Sequence, residues 1–489
     1  MKIALRMPKF VSYRNFITSL TDGCFGPSWL NQEWGFSFLA VIGLLGAWFW
    51  FWFLDGANFT AEDWPRELSY LSILEHSLSS GVIPWHCTLI TQMGTTRFLT
   101  IPEVAYTPQI FLLWVLNVKN FVIVNILILY GVGFIGCLKL ARRFQMSAFA
   151  FLFFVILFNF NGYLTSHLAI GHQMWASIFY FPWFFCFLFD LIASPGCRKN
   201  VLKLALILFF ILLQGGLHQY VWCNMFLALL FLFRSKLRMP LLLTIIFAGL
   251  ASSYRILPAA WGFWKFQRPF ISGYPNLEIL LQGLTTIGTD NTPTMGGLFN
   301  PMHWWEYDIF IGAAGLLALI WYGLITPKMN RSQELAGNLG LLGSAMVVIL
   351  FLSISDVYQF VNQLHLPLLY SEVVSSRFII LPFFLLLLMA SDAMSVTLKK
   401  NGELSQGVVV ILLLGTCYLL YLHASLWRVQ SLEQISHAPL TVNLAELVAG
   451  KPDSTYHSVI IGSYLLSLIS IGGIIFWWRR NNGRIPHSS

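Results

Sequence analysis

Charge is what this sequence has least of. Only 10% of its 489 residues are Asp, Glu, Lys or Arg, against 57% hydrophobic, and its mean hydropathy is +0.69. A soluble domain of that length could not cover such an apolar surface, so the composition excludes a soluble chain and requires a polytopic membrane protein. Acid is scarcer than base, 21 residues against 29, for a net charge of +8. The Lys and Arg residues stand in short clusters between apolar runs rather than along one face, which excludes nucleic acid as a partner. The seven cysteines form no CxxC pair and argue neither for a zinc site nor for a disulfide framework. There is no low-complexity tract, internal repeat or soluble domain of useful size. The opening MKIALRMPKFVSYRNF lacks a cleavable apolar core, so the first span is expected to act as an uncleaved signal anchor.

What is there is a series of apolar runs, each near the ~20 residues a helix needs to cross a bilayer. Twelve spans are expected, near 36–54, 121–140, 147–163, 174–193, 201–217, 219–234, 240–257, 308–325, 336–354, 377–396, 406–424 and 458–478, giving an all-α, polytopic membrane fold. Twenty of the 29 basic residues fall on one side of this arrangement, at the N-terminal tail (1–35), at alternate turns and at the C-terminal tail. That side is expected to be cytoplasmic. Fifteen of the 21 acids fall on the other side, fourteen in loops at 55–108, 258–307, 355–376 and 425–457 and Asp308 at the start of a span. Acids do not set orientation, so this surplus calls for a functional explanation. Residues 36–396 are read as the catalytic unit with long outer loops 55–108 and 258–307, and 397–489 as further spans with an outer loop at 425–457. Between 147 and 234 short paired spans around polar outer turns point to a cavity open to the outer leaflet.

The first outer loop packs Asp55, Glu62, Asp63, Glu67 and Glu75 into one stretch. Thr60 is placed to cap a helix whose first turn contains Pro65. Leu68, Leu71, Leu74 and Leu78 then recur at helical spacing, which predicts an amphipathic helix along the membrane surface. Its start would hold Asp63 near the top of the first span. A carboxylate at that boundary is suited to general-base work on an acceptor hydroxyl, because partial desolvation raises its pKa. The plainer alternative is that Asp55 ends one helix and Asp63 caps the next.

The wording GVIPWH, YTPQIFLLWVLN, NFNGYLTSHL, YFPWFFCFLF, GGLHQY, EYDIFIGAAGLLALIWYG and SSRFIILPFFLLLLMASD resembles, in order, bacterial teichoic-acid-glycosylating proteins of the GT-C glycosyltransferase superfold. These short motifs touch most of residues 55–395. The resemblance implies a membrane enzyme that takes a sugar from a polyprenyl-phosphate donor, with an acid of the first outer loop as base and inversion at the sugar. It favours Asp63 as that base, with Asp55 second. His86, read as a substrate-binding residue of that turn, departs from the pattern, since an amide often follows the Trp there.

His167, His172 and His218 lie in neighbouring outer turns, suited to hydrogen-bonding a donor phosphate or an acceptor, although single histidines near apolar surface are usually structural. No HExxH-type spacing assigns a metal, and no cofactor is assigned. An acid-rich loop beside histidines leaves a divalent ion open. A donor phosphate needs cations where the outer leaflet meets the cavity, and Arg255, Arg377 and Arg268 are the candidates, with snorkelling to headgroups as the alternative. In HWWEYD, Trp304, Trp305 and Glu306 pair aromatic faces with a carboxylate in the manner of a pyranose site, or belong to an interfacial aromatic belt.

The expectation is therefore an enzyme of a bacterial plasma membrane that transfers a sugar from a polyprenyl-phosphate carrier to a glycan, lipid or protein acceptor on the outer face. The rivals are a transporter or flippase of lipid-linked glycans, which predicts charges deep within spans and broken helices, and a surface-glycan polymerase or ligase.

Overall fold

The computed structural model describes residues 33–482 apart from 61, 88–95, 264–269, 288–294, 298–299, 327–332, 365–371 and 430–452. The described chain is helical almost throughout, as backbone in hydrocarbon must be to satisfy its own N–H and C=O groups.

Helix α1 (Glu33–Asp55) leads into α2 (Trp64–Ser80), and after a compact loop come α3 (Val118–Arg143), α4 (Ala148–Asn159) and α5 (Gly162–Ala169). Then follow α6 (Phe181–Ala193), α7 (Arg198–Leu213), α8 (Leu217–Phe233), α9 (Arg238–Ala251) and α10 (Ser253–Phe263). The remainder comprises α11 (Leu277–Thr285), α12 (Gly312–Ile320), α13 (Gln333–Leu352), α14 (Ser355–Asn362), α15 (Ile380–Arg428) and α16 (Ser454–Asn482). The β-structure among the described residues includes one small antiparallel ribbon, β1 (Met295–Gly297) with β2 (Asn300–Met302).

Among the described residues seven helical stretches are long and apolar enough to cross a membrane unaided, and eight if α9 and α10, bent by 74° at Ser252, form one broken span. The protein is thus an all-helical, multi-pass membrane protein. The other four of the twelve apolar runs form shorter or less apolar helices, among them α7 with 16 residues and α8 with 17. Such helices rise only about 25 Å, less than the ~30 Å hydrocarbon core.

The 49-residue α15 is helical throughout, and a straight helix of that length would extend about 74 Å. Yet Arg377, just before its start, binds Glu306, while Trp427, near its end, binds Asp308 two residues along the same loop. The run therefore doubles back between its two apolar halves, Ser375–Lys399 and Gln406–Arg428, where the sequence carries the polar stretch KKNGELSQ.

Aromatic packing fixes the centre of the bundle. Phe384 of α15 stacks on Phe185 of α6 at 4.6 Å and meets Phe158 of α4 edge-on at 5.0 Å. All three are buried. Such pairs add about 0.5–1.5 kcal/mol beyond the area they bury, and they hold the ends of α4, α6 and α15 in register.

Above that core, α2 docks onto the break between α5 and α6. The Trp64 indole donates to the Ala169 carbonyl at 2.9 Å, and the Asp63 amide donates to Ile170 at 3.0 Å. Gly171, at φ +103°, permits the approach, because a Cβ there would fall on the Asp63–Trp64 backbone.

Candidate functional site

The helix predicted in the first loop is present, but its head differs from expectation. Asp63 itself occupies the N-cap position of α2 and makes no side-chain capping bond. Thr60 instead hydrogen-bonds Asn58. Freed from capping, the Asp63 carboxylate accepts from Arg66 at 2.8 Å and pairs with His172 Nε2 at 2.9 Å. Its side chain is 22% exposed, so it remains reachable.

Burial pushes the Asp63 carboxyl up, but the bond and charge of His172, together with Arg66, outweigh it and hold the group well below the usual carboxylate range. The sequence argument expected a base made stronger by desolvation. The structure reverses that: Asp63 is held ionised, and its bonds to His172 and Arg66 are the reason.

The raised carboxyl is its neighbour. Glu67 is fully buried, and burial, with Glu103 and Asp63 adding to it against Arg66 and Gln173, pushes it up to about 8. It accepts from Gln173 at 2.9 Å and lies 3.3 Å from Arg66. Glu103 approaches the same guanidinium at 3.8 Å. Sequence reasoning counted Glu67 among the loop acids without singling it out. The signal was there: 67, 71, 74 and 78 form one helical stripe, so Glu67 shares the apolar face of α2 with three leucines.

From Asp63 the polar network runs inward. The Nδ1 atoms of His172 and His167 are 2.7 Å apart, a contact that requires one proton between them. If His172 donates through Nε2 to Asp63, its Nδ1 accepts from His167, and His167 Nε2 is left with a lone pair. That atom is buried without a hydrogen-bond partner. Trp175 lies against both rings, at 4.5 Å from His167 and 4.8 Å from His172.

The opposite face of the Trp175 neighbourhood leads to a second cluster. The Arg377 guanidinium lies 5.0 Å from the Trp175 ring centre and forms a two-pronged bond to Glu306, at 2.7 and 2.5 Å. It also lies 3.6 Å from Glu372. Glu372 accepts from the Trp222 indole at 2.9 Å and pairs with His218 Nδ1 at 2.8 Å. Burial raises the Glu372 carboxyl, but His218 and Arg377 bring it below its ordinary value. Arg66, Glu67, Glu103, Trp175, Trp222 and Glu372 are all members of these clusters that the sequence did not point to as site residues.

The expected residues thus divide. Asp63, His167, His172, His218, Glu306 and Arg377 come together through Trp175. Asp55 stands apart, 57% exposed and 3.6 Å from Lys119. Arg255 is buried, with its guanidinium on the carbonyls of Ile101 and Val104 and over the Tyr106 ring, so it staples the first loop to α10. His86 is buried 5.0 Å from the Tyr456 ring of α16. Trp304 and Trp305 are 2% and 6% exposed, and Trp305 is stacked on His303 at 4.1 Å, leaving little open face for a ligand. Arg268 lies outside the described residues. Among the described residues no group of three or more His, Cys, Asp or Glu is placed to hold a metal ion.

What the arrangement can do chemically is accept a proton at a reachable, ionised carboxylate and stabilise the result through a histidine pair that leads into the protein. Comparison with protein-family models, curated proteins and solved structures gives no match.

Proposed function

We propose that the chain is a membrane glycosyltransferase of the GT-C type, moving a sugar from a polyprenyl-phosphate carrier to a hydroxyl of a glycan, lipid or protein acceptor. The observation that carries the reading is the Asp63 carboxylate, partly exposed at the head of the first-loop helix and held at 2.9 Å by His172. In the reaction the acceptor oxygen bonds to the anomeric carbon as the bond from that carbon to the phosphate oxygen breaks. The electron pair leaves with the polyprenyl phosphate, and the acceptor proton passes to Asp63. One base suffices for such an inverting displacement, since phosphate leaves without needing a proton.

A carboxylate held below its usual range is a weak base, and the His172 ring hydrogen-bonded to it at 2.9 Å keeps it aimed for the transfer. The donor phosphate is not readily given to Arg377, whose donors already serve Glu306 and whose other neighbour is Glu372. A phosphate there would meet two buried carboxylates. Arg268 remains the phosphate candidate of the second loop.

A transporter or flippase of lipid-linked glycans is the second reading, favoured by the 74° break between α9 and α10 with buried Arg255 three residues beyond it. The Asp63→Asn variant, assayed for transfer from a radiolabelled polyprenyl-phosphate sugar, separates the two. Loss of about 10²-fold or more is expected for a lost general base. Full transfer by the folded variant would remove the assignment.

A further inference from the structure

Along the flank of the same helices, a groove of about 350 Å³ opens between α3, α6 and α7. Its walls are apolar, with Val132, Trp183, Phe187, Leu206 and Phe210 among them, and Lys203 lies at one end. Leu206 is 39% exposed, so the groove opens at the surface of the helical bundle rather than into its interior. The Trp183 indole already donates to the Val132 carbonyl at 2.8 Å, and Tyr180 lines the groove beside it.

Its polar end is strongly basic. Lys139 of α3 lies 5.0 Å from the ring centres of both Trp183 and Phe187, and Lys203 of α7 lies 5.8 Å from Phe187. Asp190 is the acid beside them. It is held by Arg143 at 2.5 Å and lies 3.9 Å from Lys203. Three cations against one carboxylate leave two positive charges in excess at the mouth of an apolar groove. Phe187 stands between the two lysines and keeps the ammonium groups near the rim.

We infer that this groove is a binding site for an anionic phospholipid, with one acyl chain along the apolar walls and the phosphate between Lys139 and Lys203. The charge excess selects the headgroup: an anionic lipid brings a net negative charge between the two lysines, whereas a zwitterionic one brings a cation of its own to them. The site is separate from the donor site proposed above. Helix α3 has 26 residues and rises about 39 Å from its start beside Asp55 to its end at Arg143. A lipid with its phosphate at Lys139 therefore points its headgroup away from Asp63.

The test is native mass spectrometry of the full-length protein in mild detergent, titrated with phosphatidylglycerol and with phosphatidylcholine of the same chains. The wild type is expected to retain phosphatidylglycerol preferentially. K139Q/K203Q is expected to lose that preference, by roughly fivefold for each lysine, while K139R/K203R keeps it. L206W, which narrows the groove and leaves the charges in place, is expected to weaken phosphatidylglycerol retention as well. Equal retention of the two lipids by the wild type, or undiminished preference in K139Q/K203Q, would overturn the inference. So would unchanged binding by L206W, a variant that stays informative if the double glutamine change does not fold.

Discussion

His172 Nε2 lies 2.9 Å from Asp63 Oδ2, and its other ring nitrogen lies 2.7 Å from His167 Nδ1. One imidazole thus joins a partly exposed carboxylate to a fully buried histidine. Replacing His172 by Gln removes the larger of the two influences that hold Asp63 low. A depressed carboxyl stabilises the fold above its unfolded pKa and loses that contribution as pH falls through the folded value. In H172Q the folded value rises toward the unfolded one, so the acid loss of stability from this group is smaller than in the wild type and is complete at a higher pH. The acid limb of the transfer profile moves in the same direction. Thermal unfolding from pH 3 to 7 measures the first, and an unmoved profile would rule out the coupling.

Glu67 predicts the opposite slope. Its carboxyl is pushed from 4.5 up to about 8, so the folded state binds the proton more tightly than the unfolded chain. Stability from this group is present in full below about 4.5 and falls as pH rises toward 8, where it levels off. E67Q cannot titrate and should flatten the fall in melting temperature across that interval. A wild-type curve that is flat there would contradict the assignment.

Removing Arg377 alone should be far worse than removing its cluster. R377Q leaves Glu306 and Glu372, 7% and 2% exposed, facing each other without their cation. Unpaired buried charges of this kind cost about 3–5 kcal/mol. The triple variant E306Q/R377Q/E372Q should recover much of that loss, and chemical denaturation of the wild type and the two variants in detergent measures the difference. R377Q at wild-type stability would show that the pairing contributes nothing.

Gly171→Ala tests how α2 is positioned. At φ +103° the residue sits where a side chain is strained, and an added Cβ meets the Asp63–Trp64 backbone. A cost on the order of 1–3 kcal/mol is expected, and transfer should fall further than stability does, because the Asp63–His172 contact opens. The conservative check is Gly196→Ala, where a Cβ meets nothing within 4 Å. That variant should leave both stability and transfer unchanged.

Local sequence was enough for a good part of this. Hydropathy and the spacing of basic clusters mark the helical membrane class, the runs that become helices and the hairpin at 399–406. All of these follow from the cost of placing polar groups in hydrocarbon, which each segment meets by itself. The acid loop was legible for the same reason, as was Asp63 at a helix head. What stayed hidden was every pairing. Asp63 meets His172 across 109 positions, and Arg377 meets Glu306 across 71. Whether Arg377 is a cation free for phosphate or one already neutralised, and whether Arg255 faces a ligand or two carbonyls, depends on which helix ends converge. The same holds for which loop carboxylate is raised and which is lowered. Sequence places charges along the chain, but desolvation and partnership set their chemistry, and only the tertiary structure decides those.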